Sequence, residues 1–479
     1  MNVEQLYKDA LEHERAGRAA DAERLYRQVL AINPEHSGAL NGIGVIAMTA
    51  GHFKEAAEIL KIALRLNPRE ASYHGNLGMA LANLGDYPAA MASYRQALAL
   101  RPDYPEALNN FAAAHLDLFQ FEEAIVLLQK AVKLRANFGE AYNNLGNALR
   151  EKGRVEQAIE AFRQAAALRP NTPKIIWNLA WALLLTGDFQ QGLAAYESRW
   201  NIPEIHMHRE FKEPLWDGSP LAGKHILLHE EQGLGDTIQF IRYVPLVKAR
   251  GGDVTVGVQP ALRRLLTGQC GIDRILTAGG SIPAFAVHAP FMSLPRLMGT
   301  TQYTVPADMP YLRAEPALSA QWKARLANYP GLKVGVVWAG SAHHTRDKTR
   351  SIRLEAFAPL AQAKNVTWIS LQKGDQATQP RPPGLELLDW TQELDDFADT
   401  AGLIDNLDLV IAVDTAVAHL AGAMGKKTWV LIPFAPDWRW MTRRNNTPWY
   451  PTMRLFRQPR PGDWKTAIEQ IARELQSFK

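Results

Sequence analysis

The sequence predicts an all-α array of paired helices followed by two α/β units, and three features predict it. A 34-residue period runs through roughly the first 200 residues. That period stops near Lys224, where short apolar runs alternate with helix-length stretches. Two of those runs, 225–229 and 334–338, lead into turns containing Gly233 and Gly235 and then Gly340. Strand, glycine turn, helix and strand in succession describe a βαβ unit with a parallel sheet.

Bulk properties narrow the function classes. At about 150 residues per domain, 479 residues correspond to roughly three domains. A net charge of +4 is too small for a non-specific nucleic-acid binder of this length, so no nucleic-acid partner is expected. The single cysteine, Cys270, leaves no internal disulfide framework and fits a reducing compartment. The first fifteen residues are charged and helical in pattern, without the apolar run of a signal peptide. No segment approaches the ~20 apolar residues of a membrane span. These features predict a cytoplasmic protein.

The repeat is carried by specific columns. Pro34, Pro68, Pro102 and Pro170 share one register, with Ala136 in the remaining place. Gly17, Gly51, Gly85, Gly153 and Gly187 recur at the turn between two helices. Ala22, Ala56, Ala90, Ala124 and Ala158 recur in the second helix, each followed four residues later by a large side chain such as Tyr26, Leu60 or Tyr94. Leu77, Leu145 and Leu179 mark the first helix. This pattern resembles the tetratricopeptide repeat over about six copies in residues 3–203. Small residues let paired helices approach, and each pair buries its face only by stacking on the next, which produces a superhelix with a concave groove.

Asn76, Asn110, Asn144 and Asn178 occupy one place in four successive repeats. The resemblance puts that place on the groove. A side-chain amide both donates to and accepts from a peptide backbone, so a ladder of amides would hold an extended chain without reading its sequence. Repeat-containing O-linked N-acetylglucosamine transferases hold protein acceptors by a similar ladder. The alternative is that these amides brace neighbouring helices. Trp177 and Trp181 are groove anchors or core residues. Repeats of this kind often self-associate, which leaves a homo-oligomer open.

Residues 192–200 form the last helix of the array, with Tyr196 and Trp200 closing its end, and 204–224 are a linker that buries Phe211, Leu215 and Trp216. Further strands are predicted at 254–258, 366–371, 407–413 and 428–432, and helices at 238–250, 260–267 and 464–478. The run 443–460 is basic and punctuated by proline, and reads as a loop.

Residues 233–239 resemble the opening motif of the ADP-heptosyltransferases, and 413–425, VDTAVAHLAGAMG, resemble their donor-binding motif. The block 389–440 also resembles a bacterial group that fuses tetratricopeptide repeats to such a domain. The resemblance implies a GT-B fold of two Rossmann-like lobes, an inverting glycosyl transfer and no required metal. It implies the domain plan 1–203 repeats, 204–224 linker, 225–320 first lobe and 321–479 donor-binding lobe.

The candidate site residues follow from the motifs and from their chemistry. Asp414 and Thr415 end a buried strand and open a helix, whose free amides and partial positive charge suit a diphosphate. Ala416 lets a ligand approach the backbone, although the heptosyltransferases usually carry glycine there. Asp414 also suits an N-cap, a compatible role. His419, one turn on, is a ligand contact or a core histidine. Asp236 is the matching residue for the base proposed in the related enzymes, taking a proton from an acceptor hydroxyl; a helix cap is its alternative, and Glu231 and Gln232 are near enough to help. Arg350 falls where the related family sets a basic residue against phosphates, with Arg346 and Lys348 as weaker candidates. Gly233, Gly235, Gly340, Ser341, Gln372, Lys373, Asp437 and Arg439 complete the expected donor-binding set. The adjacent His343 and His344 raise a zinc reading, but no cysteine or carboxylate pair lies at metal spacing, so no metal or cofactor is expected beyond the nucleotide-sugar co-substrate.

Three functions compete at this point: a protein O-glycosyltransferase with the acceptor (flagellin among the candidates) in the repeat groove, a lipopolysaccharide heptosyltransferase, and a non-catalytic scaffold.

Overall fold

The computed structural model describes residues 2–203, 211–342 and 346–478. His343, His344 and residues 204–210 of the expected linker lie outside them. The chain divides into two compact units, Met1–Asn178 and Leu179–Lys479, the division falling inside helix Pro173–Thr186.

The first unit is a stack of antiparallel helix pairs, from Val3–Arg15 with Ala19–Ile32 to Gly139–Glu151 with Val155–Leu168. The columns read in the sequence form its core. Ala56, Ala90 and Ala124 have no exposed surface, and Leu60, Tyr94 and Leu128, four residues on from each, are buried with them. Each such large side chain contributes about 1.5–3 kcal/mol on burial. Tyr94 fits only because residue 78 is glycine: a β-carbon there would lie 2.7 Å from the Tyr94 ring.

The inter-helix turns need a left-handed residue, and Gly17, Gly51, Gly85 and Gly153 supply it at φ values of 71°, 82°, 79° and 72°. The same place in the fourth pair holds Phe119, a bulky, exposed residue at φ 59°.

The second unit contains helix Phe189–Tyr196 and two sheets. The first sheet has four parallel strands, β1 (His225–His229), β2 (Asp253–Gly257), β3 (Arg274–Leu276) and β4 (Val287–Pro290), in the order β3-β2-β1-β4. The second has six, β5 (Leu332–Val337), β6 (Val366–Ser370), β7 (Leu387–Asp389), β8 (Leu409–Val413), β9 (Thr428–Ile432) and β10 (Met453–Arg457), in the order β10-β9-β8-β5-β6-β7, also all parallel. Every residue of β8 and β9 is buried, as expected of parallel strands covered on both faces. The order reverses between β1 and β4 and between β5 and β8, and the crevice at the carboxyl ends of such strands is where open α/β sheets bind ligands.

Several local expectations are corrected. The 443–460 run contains strand β10, whose Met453, Leu455 and Phe456 are buried; the flanking prolines set its ends without preventing an edge strand. The 238–250 helix is broken into Leu234–Phe240, a 3₁₀ turn and Val244–Lys248, the last opened by Pro245. Trp216 is buried, but Leu215 is 61% exposed because it forms an outer bridge beside His288 of β4. Tyr196 packs on Trp438 at 6.0 Å between ring centroids, and Phe189 stacks on Trp449 at 5.7 Å. Among the described residues no helix is long and apolar enough to cross a membrane.

Candidate functional site

The site is built where β5, β8 and β1 end. Strand β8 delivers Asp414 to the start of helix Ala416–Ala423. The N-cap of that helix is Thr415, not Asp414, and its side chain makes no capping bond; the Thr415 hydroxyl lies 3.3 Å from the Val413 carbonyl. Residues 414–417 are all partly exposed, and no side-chain cap serves the amides of the first turn.

Strand β5 lies beside β8 and leads into a turn at Gly340, whose N–H donates to Ser351 Oγ at 2.9 Å. A β-carbon on Gly340 would fall 2.5 Å from the Arg350 guanidinium, so glycine is what lets Arg350 lie over this turn. Arg350 Nη1 then donates to the Asp414 carbonyl at 3.0 Å. Ser341 is exposed at the rim. Gln372 and Lys373 face structural tasks: Gln372 Oε1 accepts from the Trp338 and Ala339 N–H groups at 3.1 and 2.8 Å, and Lys373 Nζ donates to the Leu394 carbonyl.

From the first sheet, the turn after β1 brings Gly233 and Gly235 to the same place. The cap reading of Asp236 is realised: Oδ2 accepts from the Gly233 N–H at 2.8 Å, while Oδ1 accepts from Arg439 Nη2. Arg439 also donates to Asp437 Oδ1 at 2.9 Å and to Gln239 Oε1 at 2.7 Å, and lies 4.7 Å from the Trp438 ring centroid. Burial works against its charge, but Asp437 and Asp236 outweigh that and hold the guanidinium ionised. Glu231 does not join this group. It is committed to the buried Arg199 through two bonds of 2.8 and 3.1 Å.

Gly235 is the close-approach point between the two sheets' elements. A β-carbon there would lie 2.9 Å from His419 Cδ2 and 3.5 Å from Ala416 Cα. His419 is buried, with Nδ1 at 2.9 Å from the Tyr450 hydroxyl and its ring stacked on Trp440 at 5.4 Å and 22°. Burial and the nearby Arg439, Arg242 and Arg350 guanidinium groups hold the imidazole well below its ordinary pKa, so it is neutral. Burial, then the charge of Asp437, pushes the Asp414 carboxyl up to about 6, against the opposing pull of Arg350 and Arg439.

Arg242 and Tyr450 were not among the predicted site residues. Arg242 is buried, and its guanidinium donates to the Pro306 carbonyl at 3.1 Å and the Tyr311 hydroxyl at 2.9 Å, 4.5 Å from the Tyr450 ring centroid. An arginine in the apolar run 238–247 was the available signal.

In the first unit the asparagine column is bonded repeat to repeat. Asn76, Asn144 and Asn178 Nδ2 each donate at 2.9 Å to the amide oxygen of Asn41, Asn109 and Asn143, one repeat earlier. Asn110 Nδ2 reaches Met79 Sδ at 3.8 Å and its Oδ1 accepts from Asn109 at 3.2 Å. The bracing role is therefore realised. Trp177 and Trp181 are half-buried.

Family models described as tetratricopeptide repeat match residues 7–58, 46–105, 81–149 and 177–198, and one described as TPR repeat matches 146–187. The N-terminal region is an array of tetratricopeptide repeats. Such arrays are protein-binding scaffolds. Over 316 residues the chain is 29% identical to Protein FlbA of Caulobacter vibrioides, an alignment covering 59% of this chain and 52% of FlbA, so the chain spans about half the length of the curated relative it matches. Among solved structures it is similar to the APC/C hetero-tetramer Cut9–Hcn1, with 19% identity and a TM-score of 0.41 over 43% of this chain and 41% of that one. It is also similar to PilF of Pseudomonas aeruginosa, with 17% identity and a TM-score of 0.39 over 43% and 93%.

Proposed function

We propose that the chain is a glycosyltransferase that moves a sugar from a nucleotide-sugar donor to a hydroxyl of a protein held by the repeat array. In this reading the two parallel sheets are the lobes of a GT-B fold, and the acceptor, flagellin among the candidates, is bound along the asparagine column.

One observation carries the reading. Asp236 from the turn after β1 and Arg439 from the segment after β9, 203 positions apart in sequence, form an ion pair beside the open N-terminus of helix Ala416–Ala423. Anion-binding amides, two guanidinium groups and a carboxylate thus converge at the strand ends, which is the equipment that displacing a diphosphate needs.

The diphosphate lies on the amides of residues 415–417, with Arg350 and Arg439 balancing the charge that develops as it leaves. Asp236 takes the proton of the acceptor hydroxyl while that oxygen attacks the anomeric carbon from the face opposite the leaving group. The bond from sugar to phosphate breaks, the glycosidic bond forms, and the configuration inverts without a metal. A diphosphate competes with Asp236 for Arg439, so donor binding itself loosens the base from its partner.

The test is a thermal-shift and calorimetric screen of nucleotides and nucleotide sugars against the full chain. Stabilisation by one of them, abolished in Asp414→Ala, is the expected result. A chain that binds none of them is not a glycosyltransferase, and attention passes to what fills the repeat groove.

A further inference from the structure

Three features of His419 combine. Its Nδ1 lies 2.9 Å from the Tyr450 hydroxyl, its Nε2 lies 3.8 Å from Asp414 Oδ1, and its ring edge meets Gly235. The proton of a neutral imidazole sits on one nitrogen, and the partner of the other nitrogen decides which. A lone pair on Nε2 would face the Asp414 carboxyl oxygen, an unfavourable pairing of two acceptors; a proton there faces it favourably. Nδ1 must then accept, and the Tyr450 hydroxyl is its donor. Tyr450 is buried, with the Arg242 guanidinium against its ring at 4.5 Å and the Tyr311 hydroxyl as a second neighbour of its own hydroxyl. Arg242 is itself fixed by the Pro306 carbonyl and the Tyr311 hydroxyl, which in turn donates to the Ile238 carbonyl at 2.9 Å. The stacked Trp440 fixes the ring plane, so the imidazole cannot flip to exchange its nitrogens without unstacking.

The geometry points to Tyr450 as a positioning residue that locks His419 in the Nε2–H tautomer, turning a buried histidine into a hydrogen-bond donor aimed between Gly235 and Asp414. This rests on the glycosyltransferase reading only for what the donor meets: there, Nε2–H would hold an oxygen of the leaving diphosphate, a neutral donor that strengthens as charge develops. The arrangement of Tyr450, His419 and Asp414 stands independently of any substrate.

The test is ¹⁵N NMR on the full chain labelled in histidine, with the His419 signals identified by their loss in His419→Gln. The expected spectrum has Nε2 protonated and Nδ1 not. Tyr450→Phe, which removes one hydroxyl, should convert this to a mixture of tautomers. A wild-type His419 protonated on Nδ1 overturns the proposal, as does a tautomer indifferent to Tyr450→Phe in a folded variant. If sugar transfer is established, Tyr450→Phe should lower turnover about tenfold, the worth of one hydrogen bond to a charged group. An Nε2–H tautomer that shifts in Tyr450→Phe, in a chain that binds no nucleotide sugar, sustains the positioning role and sinks the glycosyltransferase reading.

Discussion

His419 Nε2 and Asp414 Oδ1 are 3.8 Å apart, and they are not an ion pair. The distance would suit one, but burial and three guanidinium groups keep the imidazole neutral. The carboxyl beside it is hard to ionise for the same first reason, burial, joined by the charge of Asp437. Strongly shifted groups that meet at strand ends are more typical of a site than of a core, because a core would gain from replacing them with apolar side chains.

Asp414 therefore opposes folding as pH rises. Its carboxyl titrates near 3.8 in the unfolded chain and at about 6 in the folded one, so between those values the folded state holds a proton that the unfolded state has released. Stability falls across that window and levels above it. Asp414→Asn should remove the slope and stabilise the ligand-free chain above pH 6 by up to about 3 kcal/mol. Urea unfolding at pH 4 and pH 7.5 measures it; an equal effect at both values would contradict the assignment.

Asp236→Asn should leave the fold in place, because Arg439 keeps Asp437 and Gln239 as partners. Sugar transfer should fall by about 10²–10⁴-fold. A folded variant with unchanged turnover removes Asp236 as the base.

Phe119 occupies the one turn of the first four that lacks glycine, with φ 59°. A left-handed conformation costs a bulky residue about 1–2 kcal/mol, part of which glycine returns through its greater unfolded-state freedom. Phe119→Gly should raise stability by about 0.5–1 kcal/mol, read from the denaturation midpoint. Lower stability would mean that the exposed ring, set edge-on to Phe121 at 6.1 Å, contributes more than the strain.

Asn144→Ala separates bracing from binding. Loss of the 2.9 Å bond to Asn109 alone should cost about 1 kcal/mol of stability. In the proposed role, affinity for an acceptor peptide should fall as well, by about fivefold or more. Stability loss with unaltered affinity confines the column to bracing.

Much of the architecture was legible because it depends on periodic, local chemistry. Ala90 and Tyr94 announce a helix-pair core by recurring at fixed spacing, and β8 announces itself as an unbroken apolar run. The short edge strands β3, β4, β7 and β10 were not legible. Three to five residues carry little pattern, and their pairing energy comes from neighbours far along the chain. Within the site, Asp236, Arg350, Asp414, His419 and Arg439 were nameable from motifs and charge. Arg242 and Tyr450 were not, since a buried arginine whose bonds go to carbonyl and phenol oxygens leaves no pairing signature in sequence.

The sequence by itself determined the repeat array, the change to α/β units and the residue types at the strand ends, since spacing and composition dictate these through backbone geometry and burial. Tertiary structure alone decided which of those residues meet. Asp236 finds Arg439, Glu231 is taken by Arg199, Thr415 rather than Asp414 takes the N-cap position without capping, and Gly235 admits His419. Each outcome turns on distances of a few ångströms between residues many positions apart, set by strand order and side-chain volume, which no local pattern encodes.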